Sequence, residues 1–326
     1  MQIQSRAFLI VILFSMFFAT VPSVAVDIDS YPELSNLVGE LTATEKIEVE
    51  KLMIWLTDAT INEDLVAIME RPAEALPWYR YRKRFINKKL VNSGKKYQAR
   101  HLEVLDRAQT QFGVPTEIVV AIIGVETRYG KNTGRHRILD SLVTLALKYD
   151  RRSSYFLGEL KEFMRLSARG VFNPLKIKGS YAGAVGIAQF MPSSYKNYAI
   201  DFDQNGVSNL AKSHADAIGS VANYLNLHGW QSGSPIFERL SDGGQALSTI
   251  GETRGYKPDI AVQELENRGL ELYDGLIGDK VGVIKLQQDD REEWVIAYPN
   301  FFVLTRYNRS KNYAMVVSEL AEQLNK

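Results

Sequence analysis

The sequence predicts a mainly α-helical protein of the α+β class, with a small β-rich insertion before its C-terminus. Apolar residues recur at the three- and four-residue spacing of buried helix faces through most of the 326 residues. Between residues 231 and 293 glycines become frequent and this periodicity weakens, and residues 281–286 and 294–298 are predicted as strands. Helical spacing then returns in a C-terminal helix. We therefore expect a helical core that a small β-rich domain enters as an insertion.

The composition is that of an ordinary soluble globular protein, with 45% hydrophobic and 24% charged residues. A formal net charge of +1 gives no electrostatic case for nucleic acid as a partner. The chain has no cysteine, which excludes disulfide bonds and the thiol through which bacterial lipoproteins are acylated. Its four histidines have no metal-ligand spacing. The fold must therefore be held by its apolar core.

The first 25 residues have the pattern of a secretory signal peptide. Arg6 gives a short positive region, residues 7–19 are almost wholly apolar, and residues 23–25 are small, as cleavage requires. An uncleaved anchor is the alternative, because the apolar run nearly reaches the roughly 20 residues that span a bilayer. Pro22 and the small residues favour cleavage. We expect a periplasmic protein without a lipid anchor, whose mature chain begins near Val26.

Residues 26–110 are predicted as an N-terminal α domain. Helical periodicity runs from residue 34 to residue 70, where two X-Pro pairs interrupt it. Residues 78–85 then read Trp-Tyr-Arg-Tyr-Arg-Lys-Arg-Phe, a basic cluster with interleaved aromatic residues. Such a cluster binds nucleic acid or acidic glycans in some proteins and is a solvated helix face in others. The sequence alone leaves both interpretations open.

Residues 111–230 and 298–326 are predicted to form the catalytic core, with residues 231–297 as the β-rich domain between them. In the first part of the core, a helix is expected to begin at Pro115 and to stop at Gly130. Further helices are predicted over residues 137–149, 153–166 and 216–228. One helix, over residues 260–267, is expected inside the β-rich domain.

Glu126 is the residue around which this core is organised. It lies seven and four residues after Val119 and Ile122, so a helix places it on their apolar face. Because burial disfavours the carboxylate, we expect its pKa to be raised and the side chain to hold a proton near neutral pH. A protonated Glu is the acid that cleavage of a glycosidic bond requires. The alternative is an ion pair at the helix end with Arg128 or Lys131.

The stretch 179–195 is the second organising segment, and it is dense in glycine and alanine. Small residues allow close approach of one backbone to another or of a backbone to a ligand. The segment is therefore either a tightly packed turn between core helices or part of a binding site. In the second case Ser180, Gln189 and Tyr195 are its polar groups.

Residues 201–207, Asp-Phe-Asp-Gln-Asn-Gly-Val, have the pattern that begins an EF-hand calcium loop, with oxygen ligands at alternate positions. Lys212 occupies the twelfth position, where a bidentate Glu is usual, and Asp216 of the next helix is its candidate replacement. The alternative role of Asp216 is a capping box with Ser213. The predicted ligands of the loop are Asp201, Asp203, Asn205, the Val207 carbonyl and Asp216.

Four blocks of sequence together resemble the lytic murein transglycosylase B family. They are Gly-Val-Glu-Thr-Arg-Tyr-Gly at 124–130, the stretch 179–195, Asp-Ala-Ile-Gly-Ser-Val-Ala-Asn-Tyr-Leu at 216–225, and Thr-Arg-Tyr-Asn at 305–308. Their order and spacing match the family from about Trp78 to the end. The resemblance implies a lysozyme-like helical core. It also implies a periplasmic enzyme that cleaves the MurNAc–GlcNAc β-1,4 bond of peptidoglycan without water and leaves 1,6-anhydro-MurNAc ends.

The resemblance further implies roles for individual residues. Glu126 would be the sole catalytic acid/base, with no cofactor required for the chemistry and calcium as a structural ion of the loop at 201–207. Arg151 and Arg152, which the sequence alone leaves as either helix caps or carboxylate ligands, match a pair near the muropeptide. The remaining residues of the glycan cleft would be Tyr81, Ser180, Gln189, Phe190, Met191, Tyr224, Tyr307, Asn308 and Tyr313.

Two other classes of protein fit the sequence less well than the enzyme does. An inactive peptidoglycan-binding module would have no use for a desolvated acid at position 126. A calcium sensor would need a second EF-hand, and one irregular loop does not supply it. The expected partner is therefore the peptidoglycan strand, and other cell-wall enzymes remain open as protein partners.

Overall fold

The structure is a computed structural model that describes residues 24–70, 76–240 and 244–326. All but the last two residues of the predicted signal peptide lie outside this range. In the described residues no single helix is long and apolar enough to cross a membrane, and one pair of helices, bent by 114°, meets the criteria of length and composition together. The second helix of that pair is the buried central helix described below.

The N-terminal part is helical, as predicted, except for one two-stranded pairing. Strand β1 (Val24–Ala25) pairs antiparallel with β2 (Thr60–Ile61). The predicted cleavage site therefore lies directly after β1, and the buried Val26 follows it. The helices of this part are α1 (Pro32–Glu45), α2 (Val49–Thr57), α3 (Asp64–Met69), α4 (Trp78–Lys83), α5 (Lys88–Arg100) and α6 (Leu102–Phe112).

The first part of the core follows as a cluster of helices with one small strand pair. Strand β3 (His136–Arg137) pairs antiparallel with β4 (Lys178–Gly179), which no alternating pattern had predicted. The predicted helices are present, with bounds that differ by one to three residues. They are α7 (Thr116–Thr127), α8 (Ile138–Lys148), α9 (Ser153–Ala168) and α11 (His214–Leu227). The short helix α10 (Pro192–Tyr198) lies between α9 and α11 and was not predicted.

The β-rich region contains the two predicted strands in a four-stranded antiparallel sheet of order β5-β8-β7-β6. Its own apolar cluster includes Leu247, Val283 and Ile296, and Val283 pairs with Ile296. This separate cluster supports the predicted domain boundaries, which stay a prediction. The elements are β5 (Phe237–Arg239), α12 (Gln245–Ser248), β6 (Ile260–Ala261), α13 (Val262–Glu266), β7 (Lys280–Gln287) and β8 (Glu292–Ala297). The chain then returns to the core as α14 (Pro299–Tyr307) and α15 (Lys311–Asn325).

Helix α7 is the centre of the core and is buried on all sides rather than along one stripe. It packs against α5, α6, α11 and α15. Gly124 leaves room for the ring of Tyr129, because a Cβ at that position would lie 2.7 Å from the hydroxyl oxygen of that tyrosine. That hydroxyl donates to the carbonyl of Leu90 on α5. The central helix is therefore tied to the N-terminal helices just before it ends.

The end of α7 differs from the prediction. The helix stops at Thr127, three residues before Gly130, and Arg128, Tyr129 and Gly130 all have left-handed backbone with φ of 50°, 64° and 80°. Such φ values are unfavourable for residues other than glycine and need support from the surrounding structure. Burial of Tyr129 and its bond to Leu90 supply that support. Glu126 is thus held in the last turn of α7.

Candidate active site

Glu126 is half-buried, and its Oε1 accepts a hydrogen bond of 2.8 Å from the hydroxyl of Tyr313. Tyr313 lies in the first turn of α15, where its backbone N–H donates to the side chain of the N-cap residue Ser310. Arg128 and Lys131, the partners of the alternative ion pair, are exposed. The catalytic candidate is therefore oriented by a buried tyrosine from the far end of the chain.

Three tyrosines of the predicted cleft lie together beside Glu126. The rings of Tyr307 and Tyr313 are stacked with centroids 6.3 Å apart and planes inclined by 8°. The Tyr307 hydroxyl donates to the carbonyl of Ala188 at 2.6 Å. The Tyr224 hydroxyl donates to the carbonyl of Arg306, also at 2.6 Å, and its ring lies 5.0 Å from that of Tyr307. Backbone carbonyls therefore fix two of the three rings.

The ionisation of these tyrosines is suppressed. Burial raises the pKa of Tyr307 and Tyr313 well above the usual value, and the negative charge of Glu126 raises it further. Burial likewise raises the pKa of Tyr224. All three phenols are consequently neutral hydrogen-bond donors at physiological pH. The Tyr313 hydroxyl can therefore donate to Glu126 whenever the latter is ionised.

The basic aromatic cluster at 78–85 has a buried aromatic face and an exposed cationic face, and its contact with a ligand stays a prediction. Trp78 and Tyr81 are almost fully buried, each 1% exposed. The phenol of Tyr81 is close enough to Tyr313 to raise its pKa, which places it at the tyrosine group. Lys83 and Arg84 are exposed. The cluster thus places a buried aromatic residue beside Tyr313 and turns cations to solvent.

The stretch 179–195 forms a tight turn whose polar side chains hold its own backbone. The Ser180 hydroxyl accepts hydrogen bonds from the N–H groups of Ala182 and Ala184, at 3.3 and 2.9 Å. Gln189 has left-handed backbone (φ 52°), and its side-chain amide donates to the carbonyls of Gly186 and Thr133, at 2.7 and 3.1 Å. These contacts support the packed-turn interpretation for both residues. Their contact with a ligand stays a prediction.

The end of the same stretch contributes apolar residues to the cleft. Phe190 is 2% exposed, and its ring lies 5.7 Å from Tyr224 and 5.8 Å from Tyr307. Met191 is half-buried and precedes α10. Phe190 therefore packs against the rings of Tyr224 and Tyr307, whereas the side chain of Met191 is partly exposed to solvent. The Tyr195 hydroxyl is not turned to the cleft, since it donates to the carbonyl of Ser208 at 2.7 Å.

Arg151 and Arg152 lie in a single 3-10 turn between α8 and α9, and both are exposed. They form the end of this short 3-10 helix directly before α9, so the helix-end interpretation stays open beside that of carboxylate ligands. The Arg152 guanidinium stacks 4.2 Å from the ring centroid of Tyr155. Tyr155 in turn contributes to the raised pKa of Tyr224. Arg152 is thus connected to Tyr224 through one aromatic residue.

The predicted calcium loop brings three carboxylates together. Ligand oxygens of Asp201, Asp203 and Asp216 all lie within 4.8 Å of one another. Asp201 also accepts from the backbone N–H groups of Asn205 and Gly206, at 3.0 and 2.7 Å. These bonds hold the loop in a closed turn. Converging carboxylates with a hard-oxygen donor set fit a calcium ion.

Asp216 has a structural role that the sequence described only in part. Ser213 caps α11, and its side chain accepts from the Asp216 N–H as predicted. The Asp216 carboxylate is fully buried, and it accepts from the N–H groups of Phe202, Asp203 and Asn209 at 2.8, 3.2 and 2.7 Å. In a capping box the Asp216 carboxylate would accept from the N–H of Ser213. Here it accepts instead from N–H groups in and directly after the predicted calcium loop. Asn205 turns its side-chain oxygen to the N–H of Val207.

The sequence did not single out Thr127, which connects the two organising stretches. Its buried hydroxyl donates to the carbonyl of Ile187 at 2.9 Å and accepts from the N–H of Gly130 at 2.9 Å. This side chain fastens the end of α7 to the turn at 179–195. A hydroxyl residue directly after Glu126 in an apolar helix was the available signal. Asn308 lies at the helix junction beside Tyr307 and is half-buried.

The fold is a lysozyme-like helical one in which the carboxylic acid Glu126 lies beside a group of tyrosines, and comparisons with known proteins identify its family. The family model described as Transglycosylase SLT domain matches residues 30–322. The membrane-bound lytic murein transglycosylase B of Escherichia coli strain K12 is 36% identical over 307 residues, covering 91% of this chain and 83% of the relative.

Solved structures give the same result. Catenated lytic transglycosylase SltB1 from Pseudomonas aeruginosa matches with a TM-score of 0.82 at 40% identity, over 92% of this chain and 99% of the other. Escherichia coli lytic transglycosylase Slt35 in complex with calcium matches with a TM-score of 0.81 at 35% identity, over 93% and 96% of the two chains. The chain therefore belongs to the transglycosylase SLT family and is a lytic transglycosylase that acts on peptidoglycan.

Proposed function

We propose that Glu126 is the sole acid/base of a non-hydrolytic cleavage of the MurNAc–GlcNAc β-1,4 bond, which leaves 1,6-anhydro-MurNAc ends. The observation that carries this proposal is the 2.8 Å bond from Tyr313 to Glu126. It fixes one carboxyl oxygen within a group of neutral, buried tyrosines. The carboxyl group is thereby held in place to exchange a proton with the substrate.

Two other acids of neighbouring helices are engaged elsewhere. Asp140 accepts from the N–H of Thr60 and forms an ion pair with Arg137. Glu159 is buried, and both of its oxygens accept from Ser193, from the hydroxyl at 2.6 Å and from the N–H at 2.9 Å. Glu159 therefore caps α10. Neither acid is free to act as the second carboxylate that a hydrolase normally uses.

With one carboxylic acid, the substrate has to supply the remaining groups. Glu126 donates its proton to the glycosidic oxygen as the bond to the anomeric carbon breaks. The N-acetyl oxygen of the same MurNAc stabilises the positive charge that develops there. The 6-hydroxyl of that sugar then attacks the anomeric carbon and gives its proton to the ionised Glu126, which restores the acid. Holding the hydroxyl within the substrate makes the step intramolecular and favours it over attack by water.

The surrounding tyrosines supply a rigid surface for the sugar rings. Tyr224 and Tyr307 are locked by bonds to backbone carbonyls, and the buried Phe190 supports both rings from beneath. Aromatic rings that do not have to be ordered on binding lose little entropy. We assign sugar binding to this group together with Tyr81, Ser180, Gln189, Met191, Asn308 and Tyr313.

The products of digestion test the mechanism. Purified sacculi digested with the protein should yield fragments that end in 1,6-anhydro-MurNAc, about 18 Da lighter per cleavage than hydrolytic products, because no water is added. The variant Glu126→Gln should lose essentially all turnover and still bind glycan, since the amide keeps the shape and cannot exchange a proton. Reducing-end MurNAc as the main product, or near-normal turnover in Glu126→Gln, would overturn the mechanism.

Calcium is proposed as a structural ion that is not needed for the chemistry. Asp201 and Asp203, with the Asn205 side chain and the Val207 carbonyl, would hold it against the buried Asp216. The Escherichia coli Slt35 structure with calcium supports this assignment. The ion would supply positive charge to a loop where three carboxylates converge.

Periplasmic export without a lipid anchor is the proposed localisation. The pattern of residues 1–25 and the lack of cysteine support it. The Escherichia coli relative is named membrane-bound, so the anchoring of this chain has to be measured. N-terminal sequencing of the protein released by osmotic shock should return a start near Val26. Recovery of Met1 from the membrane fraction would refute it.

A further inference from the structure

A cationic pocket lies at the junction of the β-rich region and the core, outside the residues assigned to the glycan. It has a volume of about 390 Å³. One wall is the loop before β6 and the other is the junction of α14 with α15. The residues that line it are Arg254, Tyr256, Lys257, Thr305, Arg306 and Arg309.

The charge of this pocket is unbalanced. Four of the six lining residues are cations and none is an acid. Of the nearby acids, Glu252 is paired with Lys311 at 2.8 Å. Asp259 accepts from the backbone N–H of Arg254 at 2.9 Å and offsets one of the four positive charges, so an excess of positive charge remains. Arg309 stacks 5.0 Å from the ring centroid of Tyr256, which orients its guanidinium. Clustered cations repel one another, so a pocket of this kind gains from binding an anion.

The pocket adjoins the glycan cleft. Arg306 and Arg309 flank Tyr307 and Asn308 in the sequence, and the Arg306 carbonyl accepts the hydroxyl of Tyr224. The charge of Arg306 also lowers the pKa of Tyr224, against the larger effect of burial, so the cation lies close to the sugar-binding rings. Whatever anion binds here is therefore next to a glycan strand in the cleft.

We propose that this pocket binds carboxylate groups of the peptide stem attached to the bound peptidoglycan strand. This inference rests on the proposed function, because it requires the glycan in the cleft. Guanidinium groups bind carboxylates through paired, charge-assisted hydrogen bonds. A stem of four or five residues reaches about 15 Å when extended, at roughly 3.3–3.6 Å per residue, so it can leave the cleft and enter an adjoining pocket. The pocket would thus select strands whose stems are intact.

Three substrates distinguish the effect of the charge of the peptide stem from the effect of its size. They are glycan strands with intact stems, strands from which an amidase has removed the stems, and strands whose stem carboxylates have been converted to amides. The wild-type protein should have a higher kcat/KM on the intact strands than on either of the others. Amidated strands should behave like peptide-free strands, because the amide keeps the size of the carboxylate and removes its charge.

Two exposed arginines of the pocket provide the variants. Arg254→Gln and Arg309→Gln should each lower kcat/KM on intact strands about threefold, and the double variant should lower it about tenfold. The loss should be much smaller on peptide-free strands. Arg291→Gln is the matched control, since it removes the same charge from the same β-rich region, at a side chain that is 72% exposed. Thermal unfolding should show that all the variants are folded.

Every outcome decides the question. Equal kcat/KM of the wild-type protein on intact and amidated strands would refute the stem site, as would an equal loss on intact and peptide-free strands in the variants. Loss of anhydro products from all three substrates with the wild-type protein would instead refute the proposed function. The two failures are therefore distinguishable.

Discussion

The hydroxyl of Tyr313 donates a 2.8 Å hydrogen bond to Oε1 of Glu126, across 187 residues of sequence. Both partners lie at helix ends, Glu126 in the last turn of α7 and Tyr313 in the first turn of α15. Packing of these two helices against each other therefore places the acid. The bond holds Oε1 of Glu126 against the first turn of α15.

Removal of this bond should affect turnover more than binding. Tyr313→Phe keeps the buried ring and leaves Glu126 free to adopt unproductive rotamers, so we expect kcat to fall about tenfold with little change in KM. Tyr307→Phe is the matched control, because it removes a buried hydroxyl that contacts Ala188 rather than Glu126. Steady-state kinetics on sacculus fragments would measure both. An equal loss of kcat in the two variants would show that the hydroxyl of Tyr313 has no special role.

The position of Glu126 was predictable from the sequence, and its partner was not. Spacing from Val119 and Ile122 placed the acid on an apolar helix, since local periodicity reports which residues share a face. Contact with Tyr313 depends on the packing of distant helices, which no local pattern encodes. The family resemblance named Tyr313 as a cleft residue without giving this contact.

Among the strands and the helix ends, too, the sequence predicts some features and misses others. The strands at 281–286 and 294–298 were found because β-branched and aromatic residues mark them in a region of weak helical period. The pairing of β3 with β4 involves only two residues on each side, too few for any alternation to be visible. The early stop of α7 at Thr127 was missed because Arg128 and Tyr129 adopt left-handed backbone that their own propensities oppose.

Calcium should stabilise the protein through the loop at 201–207. An ion that binds only the folded state adds about 2.7 kcal/mol at a hundredfold excess over Kd, so saturating calcium should raise Tm. Asp201→Ala should abolish this increase in Tm while retaining activity, because the loop is separate from Glu126. Differential scanning calorimetry with and without millimolar calcium would measure the effect. Asp289→Ala, an exposed acid of the β7–β8 hairpin, should retain the increase.

Failure of calcium to raise Tm in the wild-type protein would leave the converging carboxylates as a purely structural turn. Loss of the increase in Asp289→Ala as well would show that calcium acts elsewhere or through bulk charge. The buried Asp216 is unsuited to this test, because its carboxylate also accepts three backbone hydrogen bonds.

A cluster of two histidines and a tyrosine should make stability depend on pH. The rings of His101 and His214 are stacked at 5.0 Å, and the Tyr97 hydroxyl lies 3.0 Å from Nδ1 of His214. Burial lowers the pKa of both histidines, and the charge of the nearby Arg100 lowers both further. For His101 the charge of His214 is a further cause.

The direction of these pKa shifts determines how the stability of the protein changes with pH. The unfolded chain takes up protons near the ordinary histidine pKa of about 6.5, before the folded protein does. The histidines therefore contribute their full stability above about pH 6.5, and that stability is lost as the pH falls below it. His101→Gln should have a smaller decrease in Tm between pH 7.5 and pH 5 than the wild-type protein. Since the acids are common to both proteins, equal decreases would refute a role for His101.

Two helical glycines should respond in opposite directions to the same substitution. A Cβ at Gly124 would lie 2.7–2.8 Å from the phenol ring and hydroxyl of Tyr129, which is itself held by its bond to Leu90. Gly124→Ala should therefore destabilise the fold by about 1–3 kcal/mol, the usual cost of overpacking a core. At Gly158 in α9, a Cβ would meet nothing within 4 Å, and the residue is exposed. Gly158→Ala should stabilise the protein by about 0.5–1 kcal/mol, because alanine loses less backbone entropy in a helix. Urea unfolding of the two variants would measure both changes, and a neutral Gly124→Ala would mean that Tyr129 can move away from α7 at no cost.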